Sequence, residues 1–496
     1  MELQPVQVGI FLLITALIAL VTYLACRGRR DEADSEREYF LAGGSLKWYF
    51  VAGSITLTNL STDQLVGMNG NQMALLAWWE LAAVVGLCLL CFLFIPVYYK
   101  YNCTTTTELL EKRYGDPHIR ALISILFLLG NIFIFLPAIL YGGSQFMISM
   151  FGLGQATIMV PGFGAIDPMI FALSLTFAII GAAYAIFGGL RAVAISDTFS
   201  GILLLSLALF VTYAAMKAIN FDFSGIPQER LTLIGKPDSD IPFSALFTGM
   251  IFIQIFYWST NQTITQRAMA SPSVKEAQKG ILAAAAIRLL IVPPIIVIPG
   301  IVAYKLYGRV PGDQAYGKLV GDLLPTALSG AFAAAIFAAI LTTFNSILNA
   351  SAALWVMDIH ETYVDKKPNV KRLSLWVSVV MVVLSLFLVP FFATQESLIN
   401  TVQTLYGLLS MPILSAFIVG LLFKNVDARA MIMAVIFGVA LYAAFIFAWP
   451  KLPGGGYIHM MAVTLIAGVS MALVLNKVLF KKTAIWDAKE VFSPNE

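Results

Sequence analysis

The chain has 496 residues, of which 59% are hydrophobic and only 12% are charged, and its formal net charge is +3. Soluble domains carry about 25% charged residues, so this composition excludes a soluble enzyme, a nucleic-acid-binding protein and a secreted disulfide-rich domain. Apolar runs recur along the whole sequence, and each is long enough to cross a hydrocarbon core of about 30 Å. The sequence therefore predicts an all-α polytopic membrane protein.

Thirteen apolar segments are predicted to form transmembrane helices. They cover residues 5–26, 48–70, 77–99, 121–150, 168–187, 192–219, 243–266, 277–305, 327–357, 373–393, 397–423, 430–449 and 457–478. The first is predicted to be an uncleaved anchor, because it is too long for the apolar core of a signal peptide and lacks a basic leader. Cys26, Cys88, Cys91 and Cys103 are predicted to be free thiols, since no His or acidic residue accompanies them in a metal-binding pattern.

Lys and Arg residues are distributed unequally between the predicted loops. Of the 31 basic residues, 23 fall in one set of alternating loops and 7 in the other, while Arg288 lies within a span. Because cytoplasmic loops are enriched in basic residues, we expect the N-terminus outside and the C-terminus in the cytoplasm.

Four ionisable residues fall within predicted spans: Asp63, Glu80, Asp197 and Arg288. Each costs at least about 2.5–3.5 kcal/mol on insertion into a bilayer, so each must face protein or water. Any one of them could simply form an ion pair that holds helices together. Four in one bundle favour a hydrated polar cavity.

Polar runs interrupt the second and seventh spans. Residues 59–64 read NLSTDQ, and the seventh span carries Asn261 and Gln262. Asn261 lies 202 residues and five spans after Asn59. One interpretation is a tightly packed helix with interhelical polar contacts. The other is a pair of broken helices at corresponding positions of two five-helix halves, which is typical of inverted-repeat secondary transporters.

The ninth span carries a group of polar residues in a small-residue helix. Thr342 and Thr343 lie in its middle, followed by Asn345, Ser346 and Asn349. Hydroxyls and backbone carbonyls are hard oxygen ligands, which suit an alkali cation. The alternative is that the threonines hydrogen-bond to carbonyls of their own helix.

Five segments together resemble the sodium/solute symporter family, and within it the bacterial sodium/glucose–galactose cotransporters. They are REYFLAGGSL (37–46), TNLSTDQLVGM (58–68), YAIFGGLRAVAISD (184–197), YWSTNQTITQR with SPSVKEAQKG (257–280) and LTTFNSILNASAALWVMDIH (341–360). The resemblance covers about residues 36–425. It implies a leucine-transporter-type fold of two inverted five-helix repeats within one transmembrane domain, residues 1–496. Repeat one would be 48–219 and repeat two 243–423, with peripheral helices at 5–26 and 430–478.

The resemblance also implies the site residues. Sodium would be bound by the carbonyls of Leu57, Leu60 and Ala339 and the hydroxyls of Thr342 and Thr343, with Asp197 near the route of ion release. A sugar would be bound by Gln64, Glu80, Asn261, Arg288 and Gln403. Three positions depart from the family pattern: Ala83 replaces a serine, Thr263 an aromatic gate and Arg288 a lysine. Because Thr263 replaces the aromatic gate, Met68 and Tyr257 are candidate barriers to the solute. Arg288 could pair with Glu80 or with Asp63, and pairing with Glu80 would make the site nearly neutral.

The sequence thus predicts a sodium-coupled symporter that imports a neutral sugar, such as glucose or galactose, or a polyol by alternating access. The alternative within the family is another small solute, such as inositol, an acidic sugar, a monocarboxylate or an amino acid. The expected partners are the solute, sodium and membrane lipid, with no nucleic acid, in a bacterial inner membrane. A channel would need an open pore and fits less well. A membrane enzyme would need a catalytic motif, and the three histidines, His118, His360 and His459, lie at loop or span edges without one.

Overall fold

The computed structural model describes residues 4–26, 36–153, 156–162, 164–310, 312–448 and 456–493. The first half contains α1 (Pro5–Cys26), α2 (Glu36–Leu41), α3 (Trp48–Asn59), α4 (Trp78–Leu81), α5 (Ala83–Leu89), α6 (Ile95–Lys100), α7 (Glu108–Tyr114), α8 (Pro117–Gly130), α9 (Leu136–Phe151), α10 (Pro168–Ala218) and α11 (Gln228–Leu231). The second half contains α12 (Gly249–Ser259), α13 (Gln262–Met269), α14 (Val274–Leu290), α15 (Val292–Tyr307), α16 (Ala315–Leu323), α17 (Thr326–Ala353), α18 (Glu361–Tyr363), α19 (Val370–Ala393), α20 (Leu398–Leu422), α21 (Ala428–Ala443), α22 (Gly456–Val478) and α23 (Ala488–Phe492).

Short π-helical and 3₁₀ turns join several of these helices. The π-helical turns are Asp63–Met68, Leu90–Phe94, Asn131–Phe135, Leu354–His360 and Ala444–Ala448, and the 3₁₀ turns are Ala42–Gly44, Ala74–Ala77, Phe243–Phe247 and Gly312–Gln314. Two small antiparallel ribbons pair β1 (Ile158–Val160) with β2 (Gly164–Ile166) and β3 (Phe423–Lys424) with β4 (Ile485–Trp486). Each of these strands has only two or three residues, and the rest of the described regular structure is helical. The all-α prediction is therefore confirmed.

Side-chain caps set where many of the long helices begin. Asp116, Asp167, Ser273, Asn369, Ser397 and Asp427 each accept a hydrogen bond from a backbone N–H in the first turn of the helix that follows. Each cap satisfies one of the four N–H groups that a helix start leaves unpaired. The helix starts therefore follow from residues that are readable in the sequence.

Ten helical stretches in the described ranges are long and apolar enough to span a bilayer. They are Pro5–Leu24, Ala74–Lys100, Pro117–Phe151, Gly189–Ala218, Val274–Tyr307, Thr326–Tyr363, Val370–Ala393, Leu398–Leu422, Ala428–Ala448 and Gly456–Val478. Each matches one of the thirteen predicted spans. The other three predicted spans are 48–70, 168–187 and 243–266. Polar residues break the first and the third, whereas the second forms the first part of α10, before its non-helical Gly189.

Burial separates central from peripheral helices. In the most apolar 18-residue stretch of the span that contains α17, 83% of the residues are buried inside the protein. In the corresponding stretch of α20 the share is 78%. The same share is only 11% for α1 and 33% for α19 and α21. α17 packs against α1, α3 and α10, and α3 packs against α10 and α14. The small residues of α17 permit these close approaches.

The last described segment of the chain ties together the ends of several helices on one side of the bundle. Arg113, in α7, forms an ion pair with Asp487 at 2.8 Å, and Asp487 N–H donates to the Leu422 carbonyl at 2.8 Å. Asp427, which caps α21, pairs with Lys482 at 3.0 Å. Hydrogen bonds from Arg429 and Lys482 lower the pKa of Asp427 to about 2, so it remains ionised at neutral pH.

Gly86 provides a test of the packing between α5 and α12. A Cβ at this position would overlap the backbone carbonyl of Gln254 and lie 2.9 Å from Trp258 Cδ1. We expect Gly86→Ala to destabilise the protein by about 1–3 kcal/mol through overpacking, measured as a lower Tm in detergent. Gly9→Ala is the control, because nothing lies within 4 Å of its Cβ position. An equal Tm for both variants would contradict this packing.

Candidate ion and solute site

The first helix break lies directly after α3. Asn59 is the last residue of the helix, and Leu60 (φ −79°, ψ 70°) leaves the helical conformation before the π-helical turn begins at Asp63. Leu60 N–H still donates to the Thr56 carbonyl at 3.0 Å, and Ser61 N–H donates to the Asn59 carbonyl at 2.9 Å. The predicted interruption of this span is therefore confirmed, and the break frees polar groups in the middle of the bundle.

The second break separates α12 from α13. Asn261, in an extended conformation, caps α13: its side-chain oxygen accepts from Thr263 N–H at 2.9 Å. Its side-chain NH₂ donates to the Tyr406 hydroxyl of α20 at 2.8 Å. The predicted interruption of the seventh span is confirmed as well, and Asn261 connects this break to α20.

Two adjoining cavities lie between the breaks. The larger has a volume of about 450 Å³ and is lined by Asn59, Asp63, Gln64, Met68, Trp79, Phe135, Ile253, Gln254, Tyr257, Trp258, Gln403 and Tyr406. The smaller, of about 360 Å³, is lined by Thr58, Asn59, Ser61, Asp63, Asn131, Phe135, Ile139, Tyr257, Asn261, Thr263, Thr343 and Ile347. They share Asn59, Asp63, Phe135 and Tyr257, so polar groups of the first break and aromatic rings separate them.

The predicted solute residues lie in three places: the larger cavity, the smaller cavity, and a buried ion pair next to Gln64. Gln64, Met68 and Gln403 line the larger cavity, whereas Asn261 lines the smaller one together with Thr263, the residue at the position of the family's aromatic gate. Tyr257, one of the two candidate barriers, lines both cavities, and the other, Met68, lines only the larger.

Glu80 and Arg288 are fully buried and line neither cavity. They form one of the two ion pairs open to Arg288, with Arg288 Nη2 2.5 Å from Glu80 Oε1. Gln64 bridges them: its amide NH₂ donates to Glu80 at 2.6 Å, and its oxygen accepts from Arg288 at 3.1 Å. Arg288 also donates to the Thr56 carbonyl at 3.2 Å and stacks on the Trp258 ring, 4.7 Å from its centre. The pair thus lies behind Gln64 and is electrically neutral.

The predicted sodium ligands come from two helices that meet at the first break. The Thr343 hydroxyl of α17 lies 3.5 Å from the Leu57 carbonyl of α3, and Thr343 also lines the smaller cavity. The Thr342 hydroxyl donates to the Ala339 carbonyl of its own helix at 3.2 Å, as the intrahelical interpretation anticipated. Leu57, Leu60 and Ala339 are fully buried. These backbone and hydroxyl oxygens are the kind of ligands that a hard cation binds.

Asp197 lies close to the same residues. Its carboxylate accepts hydrogen bonds from Ser54 at 2.5 Å and Thr58 at 3.4 Å, and the Thr342 side chain interacts with it as well. A carboxylate in this position places negative charge beside the candidate ion site.

The sequence predicts Arg267 in the loop after the seventh span and Arg288 as the one basic residue buried in the bundle. The structure corrects this, because Arg267 is buried in a helix as well. Arg267 is fully buried in α13, with Nε 4.0 Å from Asp197 and 2.9 Å from the Ser54 hydroxyl. The sequence does carry a signal for this burial, because Arg267 directly follows the polar run of the seventh span.

A bundle with two broken helices around central polar cavities is the architecture of leucine-transporter-type secondary transporters. The sodium:solute symporter family model matches residues 39–438 of this chain. The chain therefore belongs to the sodium:solute symporter family, and the predicted resemblance is confirmed. Sodium is the co-transported ion in this family, and the proteins that the chain resembles are transporters.

Similar proteins agree with this assignment. The chain is 34% identical to the uncharacterized symporter YidK of Escherichia coli, over 89% of this chain and 78% of that protein. It is 27% identical to the sodium/glucose cotransporter of Vibrio parahaemolyticus, over 96% and 92%. It is 25% identical to the mouse sodium/myo-inositol cotransporter 2, over 91% and 72%.

Among solved structures, the fold resembles that of a Na⁺-coupled sialic acid symporter in its substrate-bound outward-open state. The TM-score is 0.80 and the sequence identity 18%, with 96% of this chain and 98% of that chain covered. At this identity the similarity establishes the fold and leaves the solute open.

The Glu80–Arg288 pair gives a second prediction. Arg288→Ala leaves a buried carboxylate without its cation, and we expect it to cost about 3–5 kcal/mol of stability, seen as a lower Tm in detergent. Arg288→Lys, which keeps the charge but not the planar donor geometry, should cost less. The exposed Arg309→Ala is the control. A Tm for Arg288→Ala equal to that of the control would show that the pair does not stabilise the bundle.

Proposed function

We propose that the chain imports a neutral sugar or polyol together with sodium by alternating access. The observation that carries this proposal is the chemistry of the larger cavity. It combines the amides of Asn59, Gln64 and Gln403 with the aromatic rings of Trp79 and Trp258. None of its described lining residues is a Lys or an Arg. Aromatic and apolar walls with a few convergent polar groups are typical of a small-molecule site.

Amide side chains suit sugar hydroxyls because each amide both donates and accepts hydrogen bonds, as each hydroxyl does. Aromatic rings offer the apolar faces of a sugar a flat packing surface. Behind this layer, the neutral Glu80–Arg288 pair holds Gln64 by two hydrogen bonds. The pair therefore positions Gln64, which faces the solute, and does not contact the solute itself.

Coupling follows from the position of the ion ligands. Leu57 and Leu60 flank the break after α3, while Ala339, Thr342 and Thr343 belong to α17. A sodium ion bound by both groups would hold α3 against α17 and fix the residues of the break that line the cavities. The ion also supplies energy: one charge moving through 100 mV releases about 2.3 kcal/mol. We further propose that Asp197 attracts sodium on its release path.

An acidic sugar is the second candidate, because a structural relative is a sialic acid symporter. A carboxylated solute would need a basic partner, and among the described residues that line the two cavities there is none. The cavity chemistry therefore favours the neutral solutes named for the Vibrio and mouse relatives, glucose and myo-inositol. We place the protein in a bacterial inner membrane with its N-terminus outside.

Uptake into proteoliposomes tests the proposed solute class. Labelled D-glucose, D-galactose, myo-inositol and sialic acid are each offered with an inward sodium gradient and, as the control, with potassium in its place. We expect sodium-driven accumulation of at least one neutral solute. Accumulation of sialic acid alone would contradict the proposal.

The ion site gives a third prediction. Thr342→Ala/Thr343→Ala removes two of the five proposed ligands, so sodium-driven uptake should fall at least about tenfold and the sodium affinity should weaken. Thr342→Ser/Thr343→Ser keeps both hydroxyls and is the matched control, which should retain sodium dependence. An alanine double variant with normal uptake and unchanged sodium affinity would mean that the ion binds elsewhere.

A further inference from the structure

Asp63 has no assigned role in the proposed ion or sugar site, yet it lines both cavities. Among the described residues that line them, it is the one side chain with a carboxyl or basic group. It begins the π-helical turn that follows the first break, and it is partly exposed to the cavities, whereas its neighbours Thr62 and Gln64 are buried. The break therefore places this carboxylate where a solute would bind.

The charge of Asp63 is not compensated by its neighbours. The carboxylate accepts hydrogen bonds from the Ser61 hydroxyl and from nearby backbone N–H groups. None of the ion pairs between described residues includes it, and the nearby Glu80 and Arg288 neutralise each other. Thr343 lines only the smaller cavity, so Asp63 lies between the candidate ion ligands and the larger cavity.

We propose that Asp63 is the residue that restricts the larger cavity to uncharged solutes. In its ionised form it accepts a hydrogen bond from a solute hydroxyl and repels a carboxylated solute, since like charges interact strongly in a site of low effective dielectric constant. This inference rests on the proposed import of a neutral sugar or polyol, and it names the group that sets that solute class.

Reaction of a cavity cysteine with charged thiol reagents measures the field of Asp63 without any solute. Gln403→Cys places a thiol in the larger cavity of the full chain, in a half-buried position. Its reaction rates with a trimethylammonium-ethyl and a sulfonato-ethyl methanethiosulfonate give a cation-to-anion ratio. The chain without Gln403→Cys supplies the background from the native cysteines.

We expect Asp63→Asn to lower this ratio at least about tenfold, because an isosteric amide replaces the charge. Asp238→Asn, an equal charge change at an exposed position of the loop 220–242, should leave the ratio unchanged. An Asp63→Asn ratio equal to that of Asp238→Asn would overturn the proposal.

Competition by matched solutes tests the consequence for specificity. Sodium-driven uptake of the transported neutral solute is competed with D-glucose against D-glucuronate and with D-galactose against D-galacturonate. In the natural chain the uronates should compete at least about tenfold more weakly than the sugars, and Asp63→Asn should reduce this difference. Unchanged exclusion of the uronates in Asp63→Asn would overturn the role of Asp63 while leaving the proposed sugar import intact. Preferential uptake of sialic acid would instead remove the proposed function, whatever the thiol ratio.

Discussion

A backbone polar group in a bilayer must find a partner within the protein, and this constraint organises the whole structure. Two helices, α3 and α12, end in the middle of the bundle, at Asn59 and Ser259. Their freed groups are tolerable only where other helices or a hydrated cavity surround them. The central helices α17 and α20 supply that surrounding, and the polar cavities lie where the two breaks meet. The site is therefore the direct result of interrupting two helices.

The buried network of Gln64, Glu80 and Arg288 extends this logic to charge. Arg288 in α14 reaches Glu80 in α4, the Thr56 carbonyl of α3 and, through Gln64, the edge of the larger cavity. A lone charge at this depth would be costly, whereas the pair with its bridging amide satisfies most of its hydrogen-bonding groups. Asp197 and Arg267 form a second buried pair beside the candidate ion ligands, at a longer distance of 4.0 Å. Paired charges thus lie beside the cavities, and among the described residues that line them Asp63 carries the one unpaired acidic group.

Much of this arrangement could be predicted from the sequence, because polar residues in apolar spans are rare and conspicuous. The breaks at residues 59–64 and 261 followed from that signal. So did a buried acidic partner for Arg288, with Glu80 as one of two candidates. Periodicity could not show that Glu80 and Arg288 lie behind Gln64, since depth within a bundle depends on how helices pack. Hydropathy places Arg267 in a loop because it directly follows the predicted span 243–266. The helices α2, α7 and α16 lie outside every predicted span, where hydropathy carries no signal.

The central claim is that sodium binds between the break after α3 and the middle of α17. Hydrogen exchange measured by mass spectrometry, with sodium and with an equal concentration of potassium, tests it most directly. The account predicts slower exchange in sodium for peptides covering residues 57–68 and 339–346. Equal exchange of those peptides in the two salts, or protection confined to other helices, would contradict it.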